Sequence, residues 1–254
     1  YSKKLEKQNL DSFESHLVSG IFYLKNSNFD LAKKYFFLAK NKSSKFILNS
    51  YVSISLYNWT NLSNLNQSSL NLKKLDKRFE NLKKIQNVFL NCYFDSNNTN
   101  YLFEELTSNT KTDFSRYNYF YALFIASSGK NNKAKKIVES ALKLYPRNLL
   151  LNQLKIDLNQ GSYSLDFNCK NLGHVISEIL YITSNALSSQ FIYPLSNFYL
   201  NLAKYLNEDF NSYDTLLAEN FYNTENLKES KKIYNDLSKK GKAFHWYASK
   251  QLSK

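Results

Sequence analysis

The sequence predicts an all-α fold, an α-solenoid in which helical hairpins stack as a right-handed superhelix. Three observations predict it. Breakers are scarce, with Gly 5 and Pro 2 in 254 residues, and a chain rich in Leu, Lys, Asn and Tyr suits long helices better than a turn-rich β fold. Apolar side chains recur at spacings of three and four, which places them on one face of a helix. That pattern itself returns at a period of about 34 residues.

The clearest hairpin is GIFYLKNSNFDLAKKYFFLAK, residues 20–40. Gly20 and Tyr23 share a face of one helix, beside Ser19. Ala32, Phe36 and Ala39 share a face of the next. Between them Asn26, Ser27, Asn28 and Asp30 supply turn and cap side chains. Gly20 and Ala32 are small enough to let the helices approach closely, with Tyr23 and Phe36 filling the space beside the contact. The block is 13–46.

The next blocks keep the phase with varying fidelity. Block 47–80 has Tyr57 and a first helix, FILNSYVSISLYNW. Block 81–114 is helical by period (Leu82, Ile85, Phe89, then Leu102, Phe103, Leu106) and otherwise poor. Block 115–148 returns to the pattern with Ala122, Ile125, Ala134, Val138, Ala141 and Pro146. Residues 149–176 break the period. A half-repeat at 149–160 reads as a first helix, but GSYSLDFNCKNLG follows, where Gly161, Asp166, Asn168 and Gly173 favour a loop. Blocks 177–210 (Thr183, Ser184, Leu187, Ser196, Leu200, Ala203) and 211–244 (Leu217, Ala218, Phe221, Ser230, Tyr234, Leu237) form an adjacent pair before a closing helix. The expected organisation is therefore 1–160, an irregular break at 161–173, and 174–254.

On these residues the chain resembles the tetratricopeptide-repeat family over most of its length. That family's unit is a helix–turn–helix with the pattern W-x2-L-G-x2-Y…A-x3-F…P. In block 13–46, His16 stands at the Trp position, Ser19 at Leu and Ser44 at Pro. The segments LGHVISEILYITSNAL, LAKYLNEDFNSYDTLLAE and AFHWYASKQL are similar to the tail of alphaproteobacterial repeat proteins of unknown function. The resemblance implies a superhelix whose first helices line a concave side and grip a peptide or a partner protein's segment. Its inward positions are the second, fifth, sixth, ninth, twelfth and thirteenth of each repeat. The fifth is Tyr51, Tyr119 and Tyr181 in three blocks, with Ile85 interrupting the column. Asn58, Trp59, Arg116, Phe120, Asn185, Glu219 and Tyr222 take nearby inward positions. These ten are the candidate protein-binding residues, since tyrosine offers a large rigid face and one hydrogen bond. The tyrosines are expected to project onto one concave surface. The carboxylate clamp used by chaperone-binding members needs inward Lys and Asn. The positions here hold mostly Tyr, Leu, Ser and Asn, so that clamp is not expected.

A net charge of +13 invites a polyanionic partner. A/T-rich codons account for it more simply, since Lys, Asn, Ile, Tyr and Phe are all plentiful. Arginine, which reads phosphates and guanine edges, occurs only at Arg78, Arg116 and Arg147. Lysine pairs such as Lys33–Lys34 and Lys135–Lys136 fall on solvated helix faces. Nucleic acid is not the expected partner. Catalysis needs converging acids, bases or nucleophiles, and His16, His174 and His245 lie in different units. No catalytic residue, cofactor or metal is expected. A second reading makes the chain the helical binding module of a larger cell-envelope enzyme of transglycosylase type, because HWYASKQL is similar to the closing helices of such modules. Cys92 and Cys169 match no metal or redox spacing. Two thiols are expected, and a disulfide stays open because sequence separation does not decide it. No apolar run reaches the ~18 residues that span a bilayer. The chain starts at Tyr1 and contains no Met. Its N-terminus is thus expected to be processed or trimmed, with any signal peptide in the missing part. Bacterial cytoplasm and periplasm both remain open.

Overall fold

The computed structural model describes residues 11–43, 46–108 and 114–253; Ser44, at the closing-proline position, lies outside them. Among the described residues the protein is all-α and solenoid-like, without strands. No described helix is long and apolar enough to cross a membrane. Asparagine is abundant for a local reason as well as a compositional one. Asn28, Asn64, Asn148, Asn171 and Asn226 each cap a helix, their side chains accepting from backbone N–H groups of the first turn.

One turn geometry recurs along the chain. Ser27, Asp95, Gly129, Gly161, Phe191 and Glu225 all have positive φ. In each case the residue's N–H donates to the carbonyl three residues back, and the next N–H donates to the carbonyl five residues before itself. Ser27→Leu24 and Asn28→Tyr23 are one instance; Phe191→Ser188 and Ile192→Leu187 are another. This is the Schellman ending of a helix. Asp95 and Gly129 stand 34 residues apart, as do Phe191 and Glu225, and Ser27 precedes Asp95 by two such periods. The 34-residue period is therefore visible in the backbone at these five positions, while Gly161 makes the same ending out of phase, at the start of the irregular stretch. Four of the six positions are not glycine, and each of those costs about 1–2 kcal/mol in that conformation. The paired hydrogen bonds and the packing of the hairpin offset this cost.

The described residues form two compact units. The first comprises Tyr1–Ser96 with Cys169–Glu208. It contains α1 (Phe13–Lys25), α2 (Phe29–Lys42), α3 (Ile47–Thr60), α4 (Leu65–Lys73) and α5 (Glu80–Tyr93), then α10 (Leu172–Ser188) and α11 (Tyr193–Leu206). Helix α2 packs on α1 and α3, and α4 on α3 and α5. The late hairpin α10–α11 returns to the start of the chain, with α10 against α3 and α11 against α1. The second unit comprises Asn97–Asn168 with Asp209–Lys254. It contains α6 (Thr99–Ser108), α7 (Ser115–Ser127), α8 (Asn131–Leu144), α9 (Leu149–Gln160), α12 (Ser212–Asn223), α13 (Leu227–Leu237) and α14 (Lys242–Leu252). Helices α6 to α9 pack in order, α12 to α14 likewise, and α14 closes on α9. Residues 161–171 carry no helix, while Gly173 already lies in α10. Each unit draws on both sides of that stretch. The division into consecutive parts 1–160 and 174–254 is thus corrected to a discontinuous one, because α10–α11 finds its apolar partners on α1 and α3.

The two cysteines form a disulfide, with Cα atoms 6.0 Å apart. It joins the end of α5 to the point where the chain re-enters the first unit. Beside it Lys170 Nζ donates to Asp95 Oδ2 at 2.7 Å. Closing a loop of 77 residues removes about 4.5 kcal/mol of unfolded-chain entropy on the chain-entropy model.

Small residues lie at the helix crossings of the hairpins. In the first hairpin Ala32 is fully buried, and Gly20 faces the Phe36 ring so closely that a Cβ would lie 2.6 Å from Cδ1. Ser184 and Ser196 exchange hydrogen bonds, each hydroxyl donating to the other's carbonyl at 2.7 and 2.9 Å. Ser230 Oγ donates to the Ala218 carbonyl at 2.9 Å. Gly20→Ala gains about 1 kcal/mol in helix propensity but overpacks a buried ring, which costs about 1–3 kcal/mol. A urea melt should show net destabilisation, and adding Phe36→Leu should recover part of it. A more stable Gly20→Ala protein would disprove the close approach.

Candidate functional site

The site predicted on the first helices divides between the two units. In the first, Tyr51 on α3 is 1% exposed. Its hydroxyl accepts from Gln86 Nε2 at 3.1 Å, and Gln86 also donates to Ser55 Oγ at 2.9 Å. The same amide accepts from Trp59 Nε1 at 3.0 Å. Gln86, on α5, is itself buried, so every one of these polar atoms finds its partner within the protein, as burial demands. Burial, with a smaller contribution from the charge of Glu178, holds the Tyr51 phenol far above its ordinary range. Asn58 is half-buried and donates to the Asn71 carbonyl at 3.4 Å. From the opposite side Tyr199 on α11 donates to Asn49 Oδ1 at 2.9 Å. Besides α2 and α4, both α5 and the chain's own late hairpin therefore contact α3.

In the second unit the fifth position of α7 is equally occupied. Tyr119 is buried and donates its hydroxyl hydrogen to Asp166 Oδ1 at 2.5 Å. Its ring stacks on Phe210, centroids 6.0 Å apart. Phe120 packs on Phe167 at 4.2 Å and Phe210 at 5.8 Å. Arg116 lays its guanidinium over Phe210 and Phe120 at 5.0 and 5.3 Å and donates to Ser212 Oγ at 2.6 Å. Tyr163 donates to the Ala126 carbonyl at 2.9 Å. The irregular stretch therefore lies along α7. Burial pushes the Asp166 carboxyl up to about 6, and Asp157 adds to the rise, while the Tyr119 hydrogen bond and the Arg116 charge oppose it.

The remaining candidates stand apart. On α10, Tyr181 is half-buried and Asn185 exposed. On α12, Glu219 is half-buried and accepts from Tyr247 at 2.5 Å, and Tyr222 is 42% exposed. The structure gathers Tyr51 and Trp59 around one amide, and Arg116, Tyr119 and Phe120 around one aromatic cluster. It does not present Tyr51 and Tyr119 to solvent. Their expected projection onto an open concave surface is corrected, because each points into packing supplied by a distant stretch of the same unit. Sequence reasoning did not pick out Gln86, Asp166, Phe167 and Phe210 as parts of these sites. A usable signal existed for Phe167: an apolar ring in a stretch without helical periodicity must bury itself on another element.

Among the described residues no group of His, Cys, Asp and Glu is arranged to hold a metal ion. In comparison with known proteins, the chain matches no protein-family model and no curated protein.

Two outcomes are expected. Tyr51→Ala and Tyr119→Ala should each cost about 3–5 kcal/mol in denaturant melts, the range for large aromatics in cores. Tyr181→Ala should cost far less, and equal losses at all three would disprove this distinction. The second outcome concerns pH. A carboxyl whose folded pKa is raised contributes stability that is complete below about pH 4 and lost as pH rises through about 6. Asp166→Asn removes that dependence. Relative to the wild type it should gain on the order of 2 kcal/mol between pH 4 and 7.5; a difference flat with pH would show that Asp166 titrates normally.

Proposed function

We propose that the chain is a non-catalytic protein–protein interaction scaffold of the tetratricopeptide-repeat kind, taking a peptide or partner segment against its first helices. One observation carries this reading. The first-helix faces singled out by the 34-residue phase hold polypeptide, namely the chain's own segments: a helical hairpin over α3 and a non-helical stretch along α7. A surface that accepts both kinds of segment has the chemistry to accept a partner's. The candidates that keep solvent exposure, Tyr181 and Asn185 on α10 and Tyr222 on α12, offer further contact area. A polyanion fits less well. Arg116 is committed to Ser212 and two rings, and Arg78 to Asp76 at 2.8 Å.

The disulfide supports an oxidising compartment, which for a bacterial chain means the periplasm or the outside. This also favours the second reading, a helical module of a larger cell-envelope enzyme. Alkylation of protein taken from its host should leave Cys92 and Cys169 unlabelled until reductant is added. Labelling without reductant would place the protein in a reducing compartment.

The binding test uses a partner captured from the host's envelope fraction and titrated calorimetrically. Tyr181→Ala, Asn185→Ala or Tyr222→Ala at the contact should weaken binding by about 1–3 kcal/mol and lower the melting temperature far less than Tyr51→Ala does. Binding should fall only slightly with salt. A partner indifferent to all three, or one released by salt with the steep slope of a polyanion, would refute the reading.

A further inference from the structure

Residues 161–171 are the longest stretch without helix among the described residues, yet part of the stretch is well anchored. Tyr163 is tied to Ala126 near the end of α7, and Asp166 and Phe167 meet Tyr119 and Phe120 nearer its start. The contacts run in the order opposite to α7: the earlier residue meets the end of the helix and the later ones its start. The segment's side chains divide in exposure. Tyr163, Asp166 and Phe167 turn toward the unit, while Ser164 and Leu165 are exposed.

We propose that residues 163–167 are a built-in pseudo-ligand, occupying a site on α7 whose external partner is a non-helical segment with an acidic residue followed by an aromatic one. The inference rests on the scaffold reading and names the chemistry of one of its surfaces. The Tyr119 hydroxyl supplies a donor for a carboxylate, and the nearby Arg116 charge favours its ionised form. Phe120 and Phe210, capped by the Arg116 guanidinium, form a pocket wall for a ring. Asp166 and Phe167 satisfy both demands in adjacent positions. Among the described residues the segment forms no backbone ladder, and the contacts named above are made by side chains, which another peptide can reproduce. The tethered copy acts at an effective concentration in the millimolar range, so a free competitor binds the intact protein weakly.

The probe is a fluorescein-labelled peptide of sequence YSLDFN, titrated by anisotropy against the full chain. The D166A/F167A variant, with its own segment weakened, should bind the peptide at least tenfold more tightly than the wild type. Y163F loses only the hydrogen bond to Ala126 and should fall between them. A YSLAAN peptide should bind none of the three. Circular dichroism and hydrogen exchange of α7 report that each variant is folded. Equal affinity for wild type and both variants would overturn the proposal, as would no binding to a folded Y163F. Dimerisation of Y163F in place of peptide binding would assign the site to a second copy's segment and also overturn it. In each of these cases, binding that depends on Tyr181, Asn185 or Tyr222 would still stand, so the two readings fail separately.

Discussion

The rest of the structure depends on how closely the two helices of a hairpin can approach. Gly20 leaves room for the Phe36 ring of the facing helix, and Ser184 and Ser196 meet directly across theirs. Close approach leaves little room for a long connection, so the chain must reverse within a few residues. The Schellman ending provides that reversal even where Ser, Asp, Phe or Glu must adopt a left-handed backbone. Crossing and turn reinforce each other: the small pair brings the strained turn within reach, and the turn holds the pair in register. Tall side chains at the neighbouring positions then project from both helices of the hairpin and need a further surface to cover them.

That need explains why the units are closed. A hairpin buries only one side of each first helix, leaving residues such as Tyr51 and Tyr119 with a hydroxyl and a large ring to accommodate. In the first unit α5 and the hairpin α10–α11 cover them, and in the second a non-helical stretch does. Both solutions supply specific polar partners, Gln86 and Asp166, because a buried phenol without a partner costs about 1–3 kcal/mol. The cover is chosen by chemistry as well as by shape.

Local features were legible in the sequence, and long-range ones were not. The helices, the Gly20–Ala32 crossing and the missing second helix after Gln160 follow from spacing within a few tens of residues. The left-handed turns at Asp95, Phe191 and Glu225 were hidden because the usual marker, glycine, is absent there. The positions of Tyr51 and Tyr119 within their repeats were read from the phase, but their burial was not. The helix that carries Tyr51 meets residues as distant as Tyr199, which reaches Asn49 from 150 positions away, and no periodicity encodes such a meeting. The cysteine pair was ambiguous for the same reason: separation along the chain says nothing of separation in space.

The discontinuous course of the chain bears on how the protein is made. During synthesis the first unit is incomplete when residue 96 emerges, for α10 and α11 are still untranslated. The 72 residues from 97 to 168 must be added first, which at 5–20 residues per second takes roughly 4–14 s. Throughout that interval the apolar faces of α1 and α3 lack their cover, and Cys92 lacks its partner. If translocation keeps pace with synthesis, the nascent chain presents an unpaired thiol and a bare helical face together. A holding chaperone and a thiol oxidant acting in that window would therefore set the yield of folded protein more than the stability of the finished fold does.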